Sequence, residues 1–165
     1  MDDIRKTDLA FKLLDNVQNL IKFADTKVNV LLIISGVTTT FVISNFSKIS
    51  ETSILGQISL ALFIISFIVF TIFALMTISP RSDKHTGKSV AKTIYFKHIA
   101  ERVEVKDFIE DYSKLDEKNF QADLLYQIFE NSKIAEKKFY FYNLCLTALK
   151  VQIVIFLTIL GINIL

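Results

Sequence analysis

Two long stretches of the chain carry no charge. Between Lys27 and Lys48 the twenty positions 28–47 are uncharged, and between Glu51 and Arg81 so are the twenty-nine positions 52–80. About 20 apolar residues in a helix cross a bilayer core, so each run predicts a transmembrane helix, placed at 28–47 and 54–79. Both runs contain polar residues, among them Asn29, Thr38, Thr39, Thr40 and Gln57. A buried soluble hairpin would accommodate these too, but uncharged length favours the membrane. A third run is interrupted: residues 139–149 read FYFYNLCLTAL and 151–165 read VQIVIFLTILGINIL, with Lys150 between them. Together they predict a third span at 140–162, provided that Lys150 snorkels or faces a protein or water-lined interior. Tyr140 and Tyr142 fit the aromatic belt of a membrane interface.

Outside the spans the periodicity is helical. Ala10, Leu13, Leu14, Val17, Leu20, Ile21 and Ala24 recur on one side of a helix, and nothing between 20 and 30 would stop that helix from running into the first span. Residues 1–27 are therefore expected as an amphipathic helix continuous with span 1, and 48–52 as a short loop. Pro80 closes the second span, and PRSDKHTGKS (80–89) reads as a polar loop. Shorter helices are expected at 91–103 and 105–115. A long one is expected from Asp116, a good cap residue, with Leu124, Ile128, Ala135, Phe139 and Tyr142 on one face, continuing into span 3. With one Pro and four Gly and no strand punctuation, the fold class is all-α. It is a single membrane domain of three transmembrane helices with a small cytoplasmic helical bundle at 80–138. So small a bundle has little core of its own and is expected to pack against neighbours, including further copies of the chain.

Composition agrees with the membrane assignment, at 52% hydrophobic residues and a mean hydropathy of +0.43. The cations set the orientation. Arg5, Lys6, Lys12, Lys22 and Lys27 precede span 1, Lys48 alone lies between spans 1 and 2, and twelve Lys and Arg lie within 81–138. By the positive-inside rule the N-terminus and 81–138 are cytoplasmic, and the C-terminus is outside. The net charge of only +2 argues against nucleic-acid binding. The first span begins too far in for a cleaved signal peptide. Cys145 has no second cysteine to pair with, and His85 and His98 lack neighbours that would complete a metal site. Catalytic readings also do poorly, because no Gly-rich phosphate loop or nucleophile–base constellation is visible. The GKS triplet at 87–89 lacks the spacing of a phosphate-binding loop. The chain does not read as an enzyme.

Four stretches in order, FADTKVNVLLIISG at the first span, MTISPR closing the second, IYFKHIAE after the loop and ADLLYQIFENSKIAEKKFYFY leading to the third, resemble the Pycsar transmembrane effector domain of bacterial anti-phage systems. The resemblance covers roughly residues 10 to 160. It implies a multi-pass protein of the bacterial inner membrane, acting by abortive infection. A partner pyrimidine cyclase makes a cyclic mononucleotide, cUMP or cCMP, on infection. The effector responds by impairing the membrane and the cell dies. A homo-oligomer is expected separately, from Ser35, Gly36, Thr38, Thr39 and Thr40 in the first span, small or hydroxylated residues that allow close helix packing in lipid. A non-catalytic membrane anchor or scaffold that recruits a cytoplasmic partner is the alternative.

Within that frame Asp25 and Lys27 have two readings. Two apart on a helix, they point about 200° away from each other and do not pair. Asp25 has Lys22 and Asn29 within a turn. Either Lys27 is an interfacial anchor and Asp25 part of a surface ion pair, or both line a nucleotide pocket with Arg81 at the foot of span 2. In the pocket reading Arg81 and Lys27 would take the phosphate and Asp25 a ribose hydroxyl or base amine. Tyr95, Phe96 or Tyr126 would stack on the base, although these aromatics are core or interface residues first. No other cofactor or metal is expected.

Overall fold

In the computed structural model the described residues are 2–79, 99 and 103–164. They form five helices and no strand: α1 (Asp2–Ser44), α2 (Phe46–Thr52), α3 (Ile54–Ile78), α4 (Val105–Ser113) and α5 (Glu117–Ile164). Three of them, α1, α3 and α5, are long and apolar enough to cross a membrane. The predicted helix at 91–103 falls almost wholly outside the described residues, whereas that at 105–115 is α4.

The chain divides into two compact units, Met1–Ile21 with Arg81–Ala135, and Lys22–Pro80 with Glu136–Leu165. In the first, α1 and α5 run in the same direction. Gln121 Nε2 donates to Thr7 Oγ1 at 2.8 Å, and the Phe11 and Phe120 rings lie 5.8 Å apart. Asp116 caps α5 as expected, its Oδ1 accepting from Asn119 N at 2.7 Å. Among the described residues the buried apolar side chains of this unit are Ala10, Leu124 and Ala135, a thin core. Asp123 and Gln127 are buried beside Leu124 on α5.

The buried line on α1 departs from the predicted stripe. Leu13 and Leu20 are 45% and 42% exposed. The residues turned inward are Thr7, Ala10, Leu14, Val17, Ile21, Ala24, Val28, Leu31, Ser35, Thr38 and Val42, spaced alternately by three and four. That is a seven-residue repeat, the period of knobs-into-holes packing between helices. Thr7, Ser35 and Thr38 occupy its inner positions, so a search for apolar residues alone cannot find it.

The second unit is a three-helix bundle. Val28 and Leu31 of α1, Phe70 and Ala74 of α3, and Cys145, Ala148 and Leu149 of α5 make one core cluster. Val42, Ile49, Leu60, Phe63 and Ile159 make the other. Here too α1 and α5 are parallel, with Phe23 beside Phe139 and Phe41 beside Phe156, and α3 returns antiparallel between them. Cys145 is buried.

The α1–α3 connection is the other correction. Positions 48–52, expected as a loop, belong to α2. At the end of α1 the Asn45 side chain donates to Phe41 O at 2.9 Å, beside its own backbone N–H at 3.2 Å. Helix α2 forms because Ile49 is buried against Val42, Leu60, Phe63 and Ile159. Ser53, in an extended conformation, caps α3 by accepting from Gly56 N at 3.1 Å. A Cβ on Gly56 would lie 2.6 Å from Ile49 O. The tightness of this turn therefore requires glycine there.

Candidate functional site

Helix α3 ends at Ile78, and its last carbonyls have no partner within the helix. Ser79 N takes Leu75 O at 2.9 Å. Thr77 O accepts instead from Lys138 Nζ of α5 at 2.8 Å, a cation at the negative end of the helix dipole. The same ammonium donates to Asp25 Oδ1 of α1 at 2.5 Å. One side chain thus joins the ends of all three spans. Its surroundings are unequal: Lys138 is 8% exposed and Asp25 38%. The lysine is stranded if the pair breaks, whereas water can still solvate the carboxylate.

Aromatic rings flank this clamp. Phe23 stacks on Phe139 at 6.4 Å, and Phe139 meets Tyr142 edge-on at 6.4 Å. Lys27 is exposed and lies over the Phe23 ring, 5.1 Å from its centroid. A layer of aromatic side chains with an outward lysine is what a membrane interface favours.

Of the residues predicted for a pocket, Asp25 and Lys27 therefore point apart, as their spacing requires. Asp25 meets Lys138 rather than Lys22 or Asn29. Arg81, Tyr95 and Phe96 lie outside the described residues, and Tyr126 is half-buried in the other unit. Lys138 was missed by sequence reasoning. A signal for it existed, since it stands immediately before the third uncharged run much as Asp25 stands just before the first.

A second polar cluster lies deeper in the bundle. Gln152 is fully buried. Its Oε1 accepts from Ser35 Oγ at 2.9 Å, and its Nε2 reaches Thr38 and Thr39 Oγ1 at 3.4 Å each. Ser66 Oγ donates to Ala148 O at 3.4 Å. Ser35, Ser66 and Gln152 each stand near the middle of their span, where an interhelical hydrogen bond has no water to compete with it. Among the described residues no group of His, Cys, Asp and Glu is placed to hold a metal ion.

A three-span helical bundle, tied at one end by a shared ammonium and at mid-depth by a buried amide, defines a multi-pass membrane protein. Its polar groups connect helices to one another. The family is given by comparison: the model described as the Pycsar effector protein domain matches residues 9–165, and the chain belongs to that family. It is a family of effectors rather than a known family of enzymes. No curated protein and no solved structure matches the chain.

Proposed function

We propose that the chain is the membrane effector of an anti-phage abortive-infection system, switched on by cUMP or cCMP from a partner pyrimidine cyclase. It acts as a homo-oligomer in the bacterial inner membrane, with the N-terminus and the clamp on the cytoplasmic side. The observation that carries this reading is Lys138, which holds Asp25 and Thr77 O together. A device that ties three spans through one ammonium is opened by any anion that competes for that ammonium. A cyclic nucleotide brings one phosphate charge, and Lys27 and Arg81 are the further cations proposed to receive it. Asp25, released from Lys138, is free to accept from ribose or base. Tyr95 and Phe96 are the proposed stacking partners. The ligand shifts the population only by its difference in affinity for the tied and untied forms, so binding and opening are linked through one residue.

Calorimetry of the full chain in detergent with cUMP and cCMP tests the pocket. A hydrogen bond to a charged group contributes roughly 1.5–3 kcal/mol, so losing one in Arg81→Ala is expected to weaken binding by about tenfold to a hundredfold at ~1.4 kcal/mol per tenfold. Equal affinity in wild type and Arg81→Ala removes Arg81 from the site. Absence of binding by wild type for either nucleotide leaves the anchor or scaffold reading.

A further inference from the structure

Lys150 occupies a costly position. It lies twelve residues beyond Lys138 and twelve before Ile162, about 18 Å from each at ~1.5 Å rise per residue. That is too far for a snorkelling side chain to reach either interface. It is exposed on the outside of the three-helix bundle, and among the described residues it makes no ion pair or hydrogen bond. Hydrocarbon does not tolerate an ammonium there, and charged residues at such depth face protein or water.

The surface around it is not uniform. Along the same helix Asn143, Thr147 and Thr158 are exposed, interspersed with the exposed apolar Val151, Val154 and Leu157. The outward side chains of α3, from Leu62 and Ile65 through Ile72 to Leu75, are apolar and suited to lipid. Lys150 also has no countercharge to find in a second copy. No Asp or Glu occurs within 28–47, 54–78 or 139–165. Copies packed dry around it would bring like charges together with nothing to neutralise them. Water carrying mobile anions resolves both problems.

We infer that Lys150 lines a water-filled passage at the centre of a homo-oligomer of this chain and makes that passage selective for small anions. Rings of cationic side chains select anions by the field they set up at close quarters. The inference rests on the membrane-effector reading above, and it replaces general disruption of the bilayer by a passage of defined charge preference. Helices α1 and α5 then face other copies or the passage, and α3 faces lipid.

The test is a recording of full-length protein in planar bilayers under a potassium chloride gradient, with cUMP and cCMP each added in turn. Wild type is expected to prefer chloride over potassium several-fold. Lys150→Gln should bring the ratio near unity and Lys150→Glu should invert it. An unchanged reversal potential in both variants overturns the proposal, whatever the nucleotide does. If the selectivity follows residue 150 without responding to nucleotide, the gating reading fails and the passage stands. A second measurement keeps the proposal open to refutation where no conductance is recorded. In a Cys145→Ala background, which removes the sole cysteine, Lys150→Cys in proteoliposomes should react with a negatively charged maleimide at least tenfold faster than Leu62→Cys. Equal rates with and without nucleotide overturn it.

Discussion

The clamp at the ends of the spans makes a prediction whose order is unexpected from charge alone. Removing either partner breaks the same ion pair, yet the two losses should differ. Asp25→Ala leaves the Lys138 ammonium, 8% exposed, with Thr77 O as its remaining acceptor. Stranding a buried charge costs about 3–5 kcal/mol, and retention of the carbonyl contact places this variant near the lower bound, about 3 kcal/mol. Lys138→Met leaves Asp25, 38% exposed, within reach of water, and the methionine fills most of the vacated volume. What is lost is an ion pair to a carboxylate that water can resolvate, about 0.5–1 kcal/mol, and the partner of Thr77 O, about 1 kcal/mol, together about 1.5–2 kcal/mol. The double variant strands no ammonium and should resemble Lys138→Met, well short of the sum of the two single losses. Unfolding by graded SDS in mixed micelles, followed by circular dichroism, measures all three. Lys138→Met as destabilised as Asp25→Ala, or additive losses, would refute the reasoning that the lysine is the buried member.

Three further outcomes follow from other parts of the bundle. Gly56→Ala pushes a methyl to within 2.6 Å of Ile49 O and should destabilise the α2–α3 turn by about 1–3 kcal/mol. Gly36→Ala, with open space around its Cβ, should be neutral or gain up to about 1 kcal/mol; the reverse order in SDS unfolding contradicts the turn geometry. Gln152→Leu should cost only about 0.6–1.7 kcal/mol, because Thr38 Oγ1 already donates to Ser35 O at 2.9 Å and keeps that partner; loss of folding altogether would show a larger role for the amide. Reporter fusions are expected to place the N-terminus in the cytoplasm and the C-terminus outside, and a cytoplasmic C-terminus would reverse the charge-based orientation.

The three spans were legible because bilayer thickness acts on each helix separately, so an uncharged run of sufficient length is informative by itself. The cap at Asp116 was legible for the same reason, being local. The clamp was not. Asp25 and Lys138 are 113 residues apart, and local spacing offered Lys22 and Asn29 instead. Burial of Ile49 by four residues from three helices made a helix where composition suggested a loop. The inward line of α1 was misread at Leu13 and Leu20 because its repeat includes Thr7, Ser35 and Thr38. Polar residues at inner positions take their meaning from partners such as Gln121 and Gln152, which only the fold brings close.

The parallel pairing of α1 with α5 also has a consequence during synthesis. Within the three-helix unit, residues that meet across the pair differ by 113 to 117 positions, from Asp25 with Lys138 to Ser35 with Gln152. At ~5–20 residues per second, α1 waits about 6–23 seconds for its partner to leave the ribosome. Throughout that interval the newborn α1–α2–α3 hairpin has to survive in the bilayer without the helix that completes it. Its polar groups are suited to the wait. Thr38 and Thr40 donate to the carbonyls of Ser35 and Gly36 in their own helix, and Thr71 and Thr77 donate to those of Phe67 and Phe73. Asp25 waits at the membrane surface, where water substitutes for Lys138. Arrival of α5 then supplies the ammonium and the buried amide together, so the third span is the one that closes the bundle.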